Sequence, residues 1–208
     1  MEQLTVEAAR SWMQAAALAM AENAAMLSEL DTPIGDGDHG VNMSRGFTAV
    51  EKKLASTGTP DFGTLFKLVG MTLLSTVGGA AGPLYGGFFL ELGRTATGKT
   101  ALTKSEVSQM LERGLGDIQR RGKAELGDKT MVDALSPAVS AFQSSADKDI
   151  TAATRVAEDT AKTAAEATRP LEARKGRASY LGERSIGHQD PGATSSWLLL
   201  QALANVCA

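Results

Sequence analysis

The chain has 208 residues and a formal net charge of −3, and 43% of its residues are hydrophobic, which suffices for one large domain with a buried core. Acidic and basic residues are mixed along the chain without a basic block, so nucleic acid and anionic membranes are not expected partners. Cys207 is the only cysteine, which excludes an internal disulfide and, with only His39 and His188, argues against structural zinc.

Nothing in the sequence predicts secretion or membrane insertion. The N-terminal residues are acidic and lack the basic and then apolar pattern of a signal peptide. The longest apolar runs lie near residues 88–90 and 197–200 and are far shorter than the roughly 20 residues of a membrane-spanning helix. We therefore expect a cytoplasmic protein that is not attached to a membrane.

Apolar residues recur at helical spacing along almost the whole chain, whereas alternating strand patterns of useful length do not occur. We therefore predict an all-α protein without a sheet, folded as a single domain over residues 1–208. The last predicted helix is apolar on most sides, so we expect it to be central. Eight helices are predicted, over about 5–30, 41–55, 61–76, 83–94, 103–121, 132–142, 149–167 and 193–206.

Caps and glycines add detail to this pattern. Thr103 and Glu106 have the spacing of a capping box, and Asp190 precedes Pro191 as an N-cap precedes the first turn of a helix. Glycines inside helices lower stability by about 1 kcal/mol each relative to alanine. Their presence predicts close approach of another backbone or of a ligand at Gly70, Gly86, Gly87 and Gly93.

The loop over residues 31–42 has the most distinctive composition in the chain. Asp31, Asp36 and Asp38 fall within eight positions and are separated by glycines, which favour a tight loop that aims several carboxylates at one point. Such oxygen ligands suit a hard cation such as Mg²⁺. The helix that follows Gly40 would direct its N-terminus at the same point and favour phosphate. The alternative is an ordinary Asp-Gly turn with Asp38 as a helix cap.

In an up-and-down bundle, alternate loops lie at the same end. The loops 31–40, 78–83, 122–131 and 174–191 are therefore expected together, and each contains glycine, whereas the connections 56–61, 95–104 and 146–150 look ordinary. This asymmetry predicts one site at one end of the bundle.

Each of these other loops has a candidate role in that site and an alternative explanation. The glycines of 78–82 could bring backbone N–H groups to phosphate or form a plain turn, and they do not form a Walker A motif. Thr130 and Met131 could contact a nucleoside, or Met131 could belong to the core. Arg177 could bind phosphate or be solvated, and Asp190 could be an N-cap alone.

Taken together, four segments resemble the nucleotide-binding L subunit of dihydroxyacetone kinase, in order and over essentially the whole chain. They are Asp31-x4-Asp36-Gly-Asp38-His39-Gly40-x-Asn42-Met43, Gly78-Gly79-Ala80-Ala81-Gly82-Pro83-Leu84-Tyr85-Gly86, Gly127-Asp128-Lys129-Thr130-Met131-x-Asp133, and the segment from Gly176-Arg177 to Asp190-Pro191-Gly192-Ala193. The resemblance implies a barrel of eight antiparallel amphipathic helices with the nucleotide at one end.

The resemblance also implies which residues bind the cofactors. Asp31, Asp36 and Asp38 would hold two Mg²⁺ ions that bridge the phosphates of ADP or ATP. Nucleotide contacts map to His39, Gly40, Val41, Asn42, Gly79, Ala80, Ala81, Gly122, Thr130, Met131, Arg177, Asp190, Pro191 and Gly192. The family commonly has serine where this chain has Ala81, which removes one hydroxyl that can bond a phosphate. No catalytic nucleophile is predicted in the chain.

The family's substrate, dihydroxyacetone, is held on a separate K subunit, so this chain is expected to be a phosphotransferase subunit that requires that partner. A phosphotransferase-system protein is a further expected partner in relatives that rephosphorylate bound ADP. Two alternatives stay open from the sequence: another short ketose such as erythrulose as the acceptor, and a non-catalytic helical interaction module.

Overall fold

The structure, a computed structural model, describes residues 1–145 and 148–208. The predicted connection 146–150 falls partly on residues 146 and 147, which lie outside the described residues. Within the described residues, no helix has both the length and the apolar character needed to cross a membrane.

The described chain is almost entirely helical. Its α-helices are α1 (Val6–Glu22), α2 (Ala24–Asp31), α3 (His39–Ser56), α4 (Phe62–Thr76), α5 (Ala81–Thr95), α6 (Lys104–Gly122), α7 (Met131–Ser144), α8 (Ile150–Glu166) and α9 (Pro191–Val206). Two short strands, β1 (Gln3–Thr5) and β2 (Ala101–Thr103), pair antiparallel. A 3-10 segment spans Arg177–Ser185 and is interrupted at Gly182.

The all-α prediction is confirmed, and the observed helix ends lie within two residues of the predicted ones. The count differs at one point, because the first predicted helix is divided at Asn23. This residue leaves the helical conformation (φ −101°, ψ 10°), and its side-chain amide donates to the Ala19 carbonyl at 2.8 Å. The apolar spacing continues across the division, so periodicity alone cannot reveal it.

The prediction that the chain lacks a sheet was wrong in a small way. Strands β1 and β2 have three residues each, with Leu4 opposite Leu102 and both side chains buried. A strand of this length contains a single inward-facing residue, so no alternation is available to predict it.

Eight helices form a closed ring. Along the ring, α1 packs on α3, and then α4, α5, α6, α7, α8 and α9 follow in chain order until α9 returns to α1. This arrangement is the predicted eight-helix barrel, with α2 as an additional short helix against α3 and α9. Helix α9 also packs on α7, which agrees with the expected central position of the last helix.

One continuous apolar cluster occupies the inside of the ring. Trp12 of α1 is fully buried and meets Phe66 of α4 edge-on, with ring centroids 5.9 Å apart. Its indole N–H donates to the Leu199 carbonyl of α9 at 2.8 Å, so the polar atom of this side chain is satisfied inside the core. Trp12 therefore joins the first and last helices of the ring.

The predicted caps are present. Thr103 and Glu106 form a reciprocal capping box at α6, and Asp190 accepts a hydrogen bond from the Ala193 N–H at 2.6 Å, with Pro191 in the first turn of α9. Gly70, Gly86 and Gly93 have the predicted close approach of another backbone, whereas a Cβ atom on Gly87 would meet the side chains of Asp117 and Arg121. A Cβ atom on Gly70 would lie 2.7 Å from the Gly86 carbonyl oxygen, so the backbones of α4 and α5 can approach this closely only without a side chain.

Candidate functional site

A cavity of about 210 Å³ lies at one end of the ring, where the four glycine-containing loops meet. Asp36, Gly79, Thr130 and Arg177 each represent one of these loops in its lining. The loops are separated by up to about 140 positions in sequence and are brought together because alternate connections of the ring share an end. The predicted convergence of these loops is therefore observed.

Four helices begin at this cavity. The first residues of α3, α5, α7 and α9 are His39, Ala81, Met131 and Pro191, and all four line the cavity. Each helix N-terminus presents free N–H groups and the positive end of the helix dipole. The described N-cap residues of α3 and α5 make no side-chain cap bond, although the Asp31 carboxylate accepts from the His39 N–H at the start of α3, whereas Thr130 and Asp190 cap α7 and α9. The cavity is therefore suited to an anion with several charges.

The three predicted metal ligands lie together. Asp31, Asp36 and Asp38 each offer a carboxylate oxygen, and these oxygens are all within 4.8 Å of one another. Asp31 is buried at the end of α2, where it accepts a hydrogen bond from the His39 N–H at 3.2 Å. A Cβ atom on Gly35 would lie 2.0 Å from an Asp31 carboxylate oxygen, so this glycine leaves room for the acid.

This donor set fits Mg²⁺. The donors are carboxylate oxygens, which hard divalent cations prefer, and Asp36 and Asp38 are exposed enough to leave further coordination positions to water or phosphate. Three negative charges this close repel one another, and a divalent cation removes that repulsion. The chemistry of the site thus agrees with the expected ion, and the roles of the individual residues stay predictions.

Arg177 reaches across the cavity to the aspartate loop. Its guanidinium Nη1 lies 2.8 Å from a carboxylate oxygen of Asp36, although 141 positions separate the two residues along the chain. The sequence predicted a phosphate contact or a solvated side chain for Arg177, and the structure shows an ion pair with a predicted metal ligand. We call residues 172–184 the strap, because this segment lies over the cavity through Lys175, Gly176 and Arg177.

A chain of hydrogen bonds leads from the cavity into the core. The His39 Nε2 atom is 2.9 Å from the Ser195 hydroxyl, which is 2.8 Å from the Tyr85 hydroxyl. Burial lowers the pKa of His39, and the negative charges of Asp31 and Asp38 act in the opposite direction. Burial raises the pKa of Tyr85 to about 12, so its hydroxyl stays protonated. These bonds fix the orientation of the imidazole at the N-terminus of α3.

Asp190 combines a cap with an unusual acidity. Its carboxylate caps α9 through the Ala193 N–H, as one of the two sequence interpretations required, and it also lines the cavity. Burial raises the pKa of Asp190 to about 7, while the bond to the Ala193 N–H and the charge of Lys129 oppose that change. The negative charges of nearby Asp133 and Asp31 act on this pKa in the same direction as burial.

Most of the predicted site residues line the cavity. They are Asp31, Asp36, Asp38, His39, Asn42, Gly79, Ala80, Ala81, Thr130, Met131, Arg177, Asp190, Pro191 and Gly192. Of the described residues predicted at the site, Gly40, Val41 and Gly122 are outside this lining. A Cβ atom on Gly40 would lie 1.9 Å from the Ala24 carbonyl oxygen, so this glycine permits α3 to pack on α2. The side chain of Val41 is 58% exposed, and Gly122 ends α6 beside Leu84, which does line the cavity.

Sequence reasoning missed Tyr85, Leu84, Ile34 and Lys129 in the lining. Tyr85 lies one helical turn after Ala81, so the 3.6-residue period places both on one face of α5 and could have identified it. Lys129 belongs to a segment that the family resemblance included, yet no pattern of residue types indicated that its side chain turns inward.

Comparisons with known proteins show which family the chain belongs to. The family model described as the DAK2 domain matches residues 33–205. The ADP-binding subunit of the PEP-dependent dihydroxyacetone kinase of Escherichia coli K12 is 49% identical over 180 residues, which cover 86% of each chain. The ADP-binding subunit of the PTS-dependent dihydroxyacetone kinase of Lactococcus lactis is 44% identical and covers 99% of this chain and 100% of that protein.

Among solved structures, the dihydroxyacetone kinase from C. freundii in complex with AMP-PNP and Mg²⁺ superposes with a TM-score of 0.73 and 27% sequence identity. The match covers 94% of this chain and 33% of that one, so the chain spans about a third of the longer enzyme. The all-helical fold of the described chain is shared with this class of kinase. The chain belongs to the DAK2-domain family, which includes the dihydroxyacetone kinase subunits of E. coli and L. lactis.

Proposed function

We propose that this chain is the nucleotide-binding subunit of a dihydroxyacetone kinase. It binds ADP or ATP with magnesium and supplies the phosphoryl group that is transferred to dihydroxyacetone. The names of its relatives, which are ADP-binding subunits of such kinases, support this function. The observation on which the proposal depends most is that three clustered carboxylates and four helix N-termini face one cavity.

The carboxylates and the helix N-termini would bind different parts of the ligand. Asp31, Asp36 and Asp38 would hold magnesium, and we propose two ions as the family resemblance implies. The N-termini of α3 and α5, which begin at His39 and Ala81, would donate backbone N–H groups to the phosphate oxygens. Bound magnesium would supply charge neutralisation and positioning of the phosphates, which are the main requirements of phosphoryl transfer.

The remaining lining defines where the nucleoside would lie. Met131, Pro191 and Leu84 provide apolar surface, and Thr130 provides a hydroxyl beside them. Gly192 leaves this surface free of a side chain, and a Cβ atom there would crowd a carboxylate oxygen of Asp190 at 3.0 Å. These residues support the predicted nucleoside contacts.

The acceptor and the donor would come from partners. We propose a substrate-binding K subunit that holds dihydroxyacetone and, in view of the PEP- and PTS-dependent names of the relatives, a phosphotransferase-system protein as the phosphoryl donor. We further propose that residues 1–208 form one domain, which the large apolar cluster inside the ring supports, and that the protein acts in the cytoplasm.

Calorimetry with Mg-ADP tests this proposal through the Asp36→Asn variant. We expect the substitution to weaken Mg-ADP binding by at least about tenfold, because a neutral amide is a poor ligand for a hard cation and one of three carboxylates is lost. Asp159→Asn on α8 is the matched control, since Asp159 is exposed and lies outside the cavity lining. Absence of binding heat in the wild type, or equal affinity in Asp36→Asn, would contradict the proposal.

A further inference from the structure

Lys129 is a buried cation whose role the proposed function does not include. Its side chain lines the cavity and is only 1% exposed, although lysine is among the residues that are least often fully buried. It lies in the loop before α7, directly before the N-cap Thr130. A charge in such a place requires partners that compensate for its lost hydration.

Those partners are three backbone carbonyls from the two ends of the strap. The Lys129 ammonium donates to the Leu171 carbonyl at 2.9 Å and to the Ser185 carbonyl at 2.7 Å. A third, longer contact of 3.4 Å reaches the Arg169 carbonyl. An ammonium has three donors, and here each has an acceptor. One side chain thus joins the residues that precede the strap to the residue that follows it.

The backbone of Lys129 also indicates that this side chain is required. Its φ is +61°, in the left-handed region, which is unfavourable for residues other than glycine, asparagine and aspartate. Burial lowers the pKa of Lys129, whereas the negative charge of Asp190 raises it. The contacts of the ammonium must offset both the conformational and the desolvation penalty.

Other hydrogen bonds also hold the strap and its flanks, and one of them joins the same two flanks, from the Gly187 N–H to the Arg169 carbonyl at 2.8 Å. The first residues of the strap are held by the Ala173 N–H, which donates to the Ser185 hydroxyl at 2.8 Å, and by the Arg174 N–H, which donates to the Asp128 carbonyl at 3.0 Å. Further along, Arg177 forms its ion pair with Asp36 on the opposite side of the cavity. The position of Arg177 is therefore determined by the ends of the strap, where Lys129 binds.

We infer that Lys129 is a positioning residue: its ammonium joins the two ends of the strap, holds Arg177 over the cavity, and thereby slows the release of a bound magnesium–nucleoside diphosphate. The ligand in this inference rests on the proposed function, whereas the anchoring of the strap does not. Two measurements therefore separate the two statements.

The first measurement is hydrogen exchange of the ligand-free protein with Lys129→Met, which keeps the length and apolar stem of the side chain and removes the charge. We expect exchange in residues 172–187 to accelerate by about tenfold or more, because three carbonyls lose their donor and local opening becomes easier. Exchange in α1, α4 and α5 should stay within about twofold of the wild type. Lys52→Met on the exposed surface of α3 is the matched control and should change neither region.

The second measurement is stopped-flow fluorescence with the Mg²⁺ complex of N-methylanthraniloyl-ADP. For Lys129→Met we expect the dissociation rate constant to rise by about tenfold and the association rate constant to change by less than about threefold. Lys129→Arg retains a cation and should restore slow dissociation at least in part. A residue with only a structural role would instead lower the unfolding midpoint and accelerate exchange throughout, without this separation of the two rate constants.

Unchanged strap exchange and unchanged dissociation in a folded Lys129→Met protein would overturn the inference. If that variant does not fold, Ser185→Ala decides, because it loosens the same end of the strap by removing the bond to the Ala173 N–H. Faster strap exchange in Ser185→Ala with an unaltered dissociation rate would also overturn it. Failure of the wild type to bind the fluorescent nucleotide would contradict the proposed function, and strap exchange would then still test the anchoring by Lys129.

Discussion

At the scale of single residues, the acidity of Asp190 has a consequence for stability. Because burial raises its pKa from the ordinary 3.8 to about 7, the folded state binds a proton more tightly than the unfolded chain does. The stabilisation that comes from the proton bound to Asp190 is therefore fully present below about pH 4, and it is lost as the pH rises through about 7. In this range the free energy of unfolding falls by at most about 1.4 kcal/mol per pH unit through this group.

Asp190→Asn tests this acidity, because asparagine can cap α9 without a charge. Between pH 5 and pH 8, in the presence of a chelator, we expect the variant to gain stability relative to the wild type as the pH rises. The free energy of unfolding in urea at four pH values measures this difference. Asp61→Asn is the control, because Asp61 is also an N-cap but its pKa is lowered, so its effect should be constant over this range. Parallel profiles for wild type and Asp190→Asn would contradict the prediction.

The residues of the site also show what a sequence can and cannot predict. Asp31, Asp36 and Asp38 were identifiable because they are close in sequence and separated by glycines, and they are close in space. The Arg177–Asp36 ion pair and the hydrogen bond from the Lys129 ammonium to the Ser185 carbonyl join segments that are distant in sequence. Residue types alone do not predict how such segments pack.

At the scale of helices, the close approach of α4 and α5 gives the next prediction. Gly70→Ala should lower the free energy of unfolding by about 1–3 kcal/mol, because the added methyl group would lie 2.7 Å from the Gly86 carbonyl oxygen and from Leu90. This loss should outweigh the gain of about 1 kcal/mol in helix propensity. Urea denaturation measures the difference.

Gly116→Ala in α6 is the matched control for this substitution. No described atom outside its own helix lies within 4 Å of a Cβ atom built at Gly116, so alanine should stabilise the protein by about 0.5–1 kcal/mol. If Gly70→Ala were as stable as Gly116→Ala, the contact between the two backbones would not require glycine.

Helix periodicity predicted the elements well, because most helices expose one polar face and bury one apolar face. It failed where the division of a helix or the presence of a strand depends on one residue. Asn23 interrupts a continuous apolar spacing, and Leu4 and Leu102 are each the single inward-facing residue of their strands.

At the scale of the whole molecule, binding at the cavity should stabilise the complete ring, since helices α3, α5, α7 and α9 all begin there. A ligand that binds only the folded state raises the free energy of unfolding by about 2.7 kcal/mol at a hundredfold excess over its dissociation constant. We therefore expect Mg-ADP to raise the thermal unfolding midpoint and EDTA to abolish most of that increase. An equal increase with ADP in EDTA would show that binding does not depend on the metal.

The closure of the ring was available from the sequence only through the family resemblance. Spacing of apolar residues gives the helices and the short loops place alternate connections at one end, but neither specifies that α9 packs on α1. The bond from the Trp12 indole to the Leu199 carbonyl, which spans 187 positions, is the kind of contact that local patterns cannot reveal.

The separation of the two ends of the ring has a practical use. Helix α3 has 18 residues and is thus about 27 Å long, so Gly58, just past its C-terminus, is remote from His39 at its start. No described atom lies within 4 Å of a Cβ atom built at Gly58. A cysteine introduced there could attach the protein to a biosensor surface with the opposite end directed into the flowing sample, where nucleotides and partner proteins would reach it without hindrance.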